Sequence, residues 1–250
     1  MTKVAKITSI TIFSFILMMN FNTGVYAQKK KDPVRVLLFT GGHPFDREPF
    51  DAFKQTLSGC IVTEVQHPNA LTMFRPENRS SYDVVLFYDM YGSISEQEKQ
   101  DFLDCLNEGK GMVVLHHAYV SYPEWPEYQK ILGGAWKNQP WTDHKGVSYP
   151  ASTYIHDVKF QVKIANKKHP VTKGVKDFDI IDETYADGYV APNVHILLTT
   201  DEPTSTPSVA WTNQYGKSKV VTILLGHDQQ AWNNPSFKKL ITQAIFWVKK

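Results

Sequence analysis

Met112-Val-Val-Leu115 runs straight into His116-His117-Ala118-Tyr119. A short apolar run of this kind suits a strand covered on both faces, as in a parallel sheet. Val34-Arg-Val-Leu-Leu-Phe39, Val84-Val-Leu-Phe87 and Val220-Val-Thr-Ile-Leu-Leu225 are runs of the same type. Helical patterns lie between and after them. Asp46 to Leu57 puts Phe50, Phe53 and Leu57 on one face, and Ser95 to Leu106 opens with the capping-box spacing Ser95-x-x-Glu98. Pro123 to Leu132 ends at Gly133-Gly134. In the last helix Asn234 is the cap and Pro235 takes the first turn; Phe237, Leu240, Ile241, Ala244, Ile245 and Val248 form one stripe. Strands alternating with helices predict an α/β fold with a doubly wound, mostly parallel sheet and helices on both faces.

Residues 135–220 break the alternation. Phe160, Val162 and Ile164 alternate with Lys159, Gln161 and Lys163, as in a strand with one exposed face. Val194 to Thr199 reads as another strand, and Ser208–Thr212 with Lys219–Leu225 flank a hairpin signal at Gln214-Tyr-Gly-Lys217. An antiparallel insertion before the last strand and helix is expected. Trp136 to Pro150 is expected to be a long loop, and Asp182-Glu-Thr-Tyr185 a polar turn.

Ligands bind at the carboxyl ends of strands in doubly wound sheets. The four strand ends carry Gly41-Gly42-His43, Asp89, His116-His117 and His227-Asp228. His116 and His227 are therefore candidate catalytic groups, with Glu183 and Tyr185 arriving from the insertion. Gly42, His43, His117, Trp141 and Asp228 are candidate substrate contacts. Other readings stand beside these: Gly41-Gly42 as a tight turn, Asp89 as an ordinary loop carboxylate, Asp228 as a helix cap, and His169 as part of a rigid turn. His144 and His156 lie near the aromatic loop and could line a pocket or not. A divalent metal ion held by His116, His227 and Glu183 is a further option. No His-x-x-x-His spacing supports it locally, so it would have to be assembled from separate strands.

The chain has 250 residues, 42% of them hydrophobic, enough for a large domain. Lys3 and Lys6, the apolar run Ile7–Met19 and Val25-Tyr26-Ala27 follow the order of a cleavable export signal. Residues 1–27 are read as that signal, 28–33 as a charged tether and 34–250 as the domain. A periplasmic or secreted location follows, and the run is short for a membrane span, which needs about 20 residues. Lys plus Arg is 27 against 25 for Asp plus Glu, and loss of Lys3 and Lys6 removes the excess. Nothing then favours a nucleic-acid partner. Cys60 and Cys105 lie away from any strand end and are expected to be free, although a disulfide between them is open.

Phe39-Thr-Gly-Gly-His43, Leu115-His-His-Ala118, His169-Pro-Val-Thr-Lys-Gly174, Asp182-Glu-Thr-Tyr185, Val209-Ala-Trp211 and Leu225-Gly-His-Asp228 occur in order. Together they resemble the ThuA-like (trehalose utilisation) family, from about Val34 to the C-terminus. The resemblance implies a flavodoxin-like fold similar to class I glutamine amidotransferases. It also implies a role with carbohydrate, often beside sugar oxidoreductases that make 3-keto sugars. Family positions carried over are His43, His116, Glu183, Tyr185, His227 and Asp228. An amidotransferase needs a Cys nucleophile at the strand-to-helix elbow. That place holds His116-His117, so glutaminase chemistry is not expected. Two functions remain: an enzyme acting on a glycoside or 3-keto sugar as isomerase, lyase or hydrolase, and a non-catalytic carbohydrate-binding or accessory protein. Trp125, Trp136, Trp141, Trp211 and Trp232 would serve either.

Overall fold

The computed structural model describes residues 1–2 and 32–250. The expected signal and most of the expected tether lie outside the described residues. Among the described residues no helix is long and apolar enough to cross a membrane.

Nine strands form one sheet: β1 (Val34–Gly41), β2 (Cys60–Gln66), β3 (Val84–Asp89), β4 (Gly111–Leu115), β5 (Thr153–Ile164), β6 (Phe178–Ala186), β7 (His195–Thr199), β8 (Ser208–Tyr215) and β9 (Ser218–Ile223). Their spatial order is β2-β1-β3-β4-β9-β8-β7-β5-β6. The first five in that order pair in parallel, and every later pairing is antiparallel. This is the expected flavodoxin-like sheet with an antiparallel insertion before the last strand. The four antiparallel steps from β9 make β6 run in the same direction as β4 and β9. The carboxyl end of β6 therefore reaches the same sheet edge as theirs.

Side chains alternate across β1, so Val34, Val36 and Leu38 enter one core and Leu37 and Phe39 the other. Helices α1 (Arg47–Gln55) and α5 (Pro235–Val248) cover the first face through Phe50, Phe53 and the stripe from Phe237 to Val248. Helices α2 (Glu96–Asn107) and α3 (Pro126–Leu132) cover the second through Phe102, Leu106, Tyr128 and Ile131. The Ser95–Glu98 capping box is formed, and Asn234 Oδ1 accepts from the amides of Ser236 and Phe237. A short helix, α4 (Gln229–Asn233), precedes α5.

Three expectations are corrected. The helix expected from Pro123 starts at Pro126, because Trp125 stays extended before the proline and Pro126 suits the first helical turn. Residues 116–120 form a 3-10 turn after β4. Asp182–Tyr185 is not a turn but the end of β6, where Asp182 faces Val158 and Tyr185 faces Tyr154 across the ladder. The long loop 136–150 contains the two-residue ladder Trp141–Thr142 with Ser148–Tyr149. Cys60 and Cys105 are both free. Burial pushes each thiol up to about 11, so neither is poised as a thiolate.

Candidate active site

Strand β4 ends at the strand-to-turn corner where an amidotransferase would carry its nucleophile, and His116 occupies that corner. Its φ of 48° lies in the left-handed region that side chains other than glycine rarely adopt. The imidazole is wholly buried. Its Nδ1 donates to the Leu224 carbonyl at 2.8 Å, which fixes the tautomer and turns Nε2 toward the insertion. There Nε2 lies 2.8 Å from Glu183 Oε2, 3.0 Å from the Tyr185 hydroxyl and 3.1 Å from His227 Nδ1. His227 Nδ1 is also 3.3 Å from Glu183 Oε2. Glu183 and Tyr185 reach the same place because alternate residues of β6 point to the same side.

The loop carrying His227 is held by its backbone. Buried Asp182 accepts from the amides of Gly226 at 2.7 Å and His227 at 2.9 Å, and from Glu183 at 2.9 Å. Tyr88 donates to the carbonyls of Gly226 and His227, and Trp232 Nε1 donates to that of Gly226. On the other side Gly42 sits at φ 83°, where an added Cβ would lie 2.0 Å from the Met90 carbonyl oxygen. Close backbone contact at Gly42 thus places the following residue, His43, whose ring stacks on His117 at 4.8 Å.

These groups floor a pocket of about 250 Å³. His43, His117, His227, Glu183 and Tyr185 face it; Met90, Val120, Trp136 and Tyr154 wall it, and Asn138 and His156 stand at its rim. Glu183 is the only carboxylate lining this pocket among the described residues. Its burial opposes ionisation, but hydrogen bonds with His116 and His227 outweigh this and hold the carboxyl well below its usual range. The same hydrogen bond to Glu183 raises His227, against the opposing effect of burial. Burial, followed by the neighbouring His116, keeps His117 neutral well below its usual value. Burial likewise lowers His43. Among the described residues, both ring nitrogens of His117 and Nδ1 of His43 are buried without a hydrogen-bond partner. Burial thus favours the neutral form of His43 and His117, while contact with Glu183 favours the protonated form of His227.

The other candidates fall elsewhere. Trp141 does not line this pocket: it stacks on Tyr149 in a separate cavity with His144 and donates to the Asp187 carbonyl. Trp136 takes the aromatic position beside Tyr185 instead, with ring centroids 5.3 Å apart. Asp228 caps α4 by accepting from the Gln230 amide. Asp89 is buried and paired with His67 at 2.9 Å and the Tyr122 hydroxyl at 3.3 Å. His169 accepts from the Val171 amide within its turn. Sequence reasoning missed Asp182, whose role depends on β6 lying beside the His227 loop. It also missed His67, which ends up against Asp89 only through the β1–β2–β3 pairing.

The family profile described as ThuA, trehalose utilisation, matches residues 35–248. Among solved structures, a ThuA-like protein from Parabacteroides merdae is similar with a TM-score of 0.71 and 22% identity, over 86% of this chain and 90% of that one. A ThuA-like protein from Bacteroides uniformis gives 0.66 and 18%, over 90% and 95%. A β-galactosidase from Bacillus circulans gives 0.54 and 10%, over 87% of this chain but 32% of the enzyme. At these identities the likenesses concern the fold alone. No protein of curated function matches the chain. With a match running from the first strand into the last helix, the chain belongs to the ThuA family, on a class I glutamine amidotransferase-like fold.

Proposed function

We propose that this chain is a carbohydrate-active enzyme that moves a proton beside the carbonyl of an oxidised sugar. A 3-keto glycoside is the favoured substrate. One observation carries the reading: His43 and His117, whose burial favours the neutral imidazole, face the same pocket as the Glu183–His227 pair, whose contact favours a protonated His227. Groups whose surroundings drive their proton affinities apart make an acid and a base at one pH. His43 or His117 takes the proton from the carbon next to the carbonyl. Tyr185 and the proton on His227 stabilise the negative charge that develops on the carbonyl oxygen. In a 3-keto glycoside the C2–H bond breaks and its electron pair forms an enolate across C2–C3. The C3 carbonyl then reforms as the C1–C2 double bond forms and the C1–O bond breaks, and the departing oxygen takes a proton. Without that departure the same steps give isomerisation.

Trp136 and Tyr154 offer flat apolar surface to a sugar ring, and Asn138 and His156 offer polar contacts at the rim. Two-carboxylate glycoside hydrolysis is disfavoured, because neither Asp89 nor Asp228 joins Glu183 at the pocket. The family description of trehalose utilisation agrees with a sugar substrate. The reading includes an oxidoreductase that makes the keto sugar, and export of this chain to meet it. The test is incubation of purified protein with native and 3-keto disaccharides, read by mass spectrometry. Cleavage or isomerisation of the keto sugar alone is expected. Saturable binding with no product from any sugar would make the chain an accessory binding protein instead.

A further inference from the structure

The floor of the pocket raises a question of hydrogen-bond accounting. His116 spends its Nδ1 proton on the Leu224 carbonyl, so neutral His116 presents a lone pair at Nε2. That lone pair faces a carboxylate oxygen at 2.8 Å. His227 Nδ1 stands 3.1 and 3.3 Å from the same two atoms. Three atoms able to donate electron pairs thus converge, all within 4.8 Å of one another. Two acceptors at such a distance need a proton or a metal ion between them.

We propose that this position is a divalent transition-metal site, with His116 Nε2, His227 Nδ1 and Glu183 Oε2 as its ligands. Ligand atoms around a tetrahedral zinc ion, at bond lengths of roughly 2.0–2.1 Å, are about 3.3 Å apart. The observed separations need only a slight opening to match. Two imidazoles and one carboxylate form the donor set of open catalytic sites for zinc and non-haem iron. They are a poor set for magnesium or calcium, which prefer oxygen. The outer contacts are those a metal site needs. The Leu224 carbonyl fixes one imidazole. His156 stands 3.3 Å from the second oxygen of Glu183, and Asp182 pins the backbone under His227. His116 is buried behind the floor while Glu183 and His227 line the pocket, so an ion held there would be open to the pocket.

The inference rests on the same pocket as the proposed reaction and deepens it: the ion takes over polarisation of the carbonyl oxygen from the His227 proton. Its test needs no turnover. The purified chain is stripped with a chelator and titrated with zinc by calorimetry, with metal content read by mass spectrometry. Cobalt(II) then reports coordination through its visible absorption. One zinc per chain is expected, with a four- or five-coordinate cobalt spectrum. Glu183→Gln and His227→Ala, checked for fold by circular dichroism, should each weaken zinc binding by at least about 100-fold. His144→Ala, in the separate cavity, should not. No stoichiometric zinc, or zinc that survives both ligand variants unweakened, overturns the site. Stoichiometric zinc with no reaction on keto sugars keeps the site and removes the reaction. Full turnover in chelator-stripped protein keeps the reaction and removes the ion.

Discussion

Asp182→Asn should damage both the fold and the site, by an amount that follows from its contacts. Oδ1 accepts from the amides of His227 and Glu183, and Oδ2 from that of Gly226. An asparagine can keep its oxygen on the first pair, but its NH2 group then faces the Gly226 amide, donor against donor. One buried N–H left without a partner costs about 1–3 kcal/mol. A mid-range loss of about 2 kcal/mol lowers the melting temperature of a domain this size by about 4–8 °C. Asp182→Ala strips all three amides and should cost more. Because two of those amides belong to the loop bearing His227, any turnover should fall further than stability alone explains. Thermal and urea unfolding, with exposed Asp179→Asn as the control, measure the effect. An Asp182→Asn protein within about 0.5 kcal/mol of wild type would refute the claim that this carboxylate holds the loop.

Gly42→Ala should destabilise strongly and displace His43, since its φ of 83° and the 2.0 Å approach to the Met90 carbonyl leave no room for a Cβ; a soluble variant with unchanged melting and activity would contradict this. Cys60→Ala with Cys105→Ala should leave turnover near wild type, because both thiols are held up to about 11 and neither lines the pocket. Glu64 bonds to Arg47, Lys54 and Thr40, which outweigh its burial and lower it to about 2. Its stabilising contribution is therefore complete above its ordinary value near 4.5 and is lost as the pH falls from there to about 2. The stability gap between wild type and Glu64→Gln should close over that interval in acid titration. Chain exported from cells should begin at Gln28, which N-terminal sequencing checks.

Much of this architecture is legible in the amino-acid order. Fully buried parallel strands have no polar face, so 84–87 and 112–115 stand out as unbroken apolar runs. The ends of α2 and α5 are marked by side chains that bond their own backbone, as at Ser95 and Asn234. The strand-end rule directs attention to His116 and His227 because it depends on topology alone. What escapes reading is set by long-range packing. The polar string Asp182–Tyr185 resembles a turn, yet it is strand, because its acids are buried against amides and imidazoles some 44 to 67 residues away in sequence. Composition could not choose between Trp136 and Trp141, since only the ladder at 141–149 turns Trp141 into its own cavity. His116 and His117 divide the roles at the end of β4: His116 meets Glu183, while His117 opens into the pocket.

The most direct measurement is proton exchange itself. A 3-keto disaccharide is incubated with the purified protein in D2O, and deuterium on the carbon beside the carbonyl is followed by NMR. Wild type should introduce deuterium well above the buffer rate. Glu183→Gln and His227→Ala, each confirmed as folded, should lose on the order of a hundredfold to ten-thousandfold in rate. Folded wild-type protein that binds the keto sugar yet introduces no deuterium and releases no product would contradict the account.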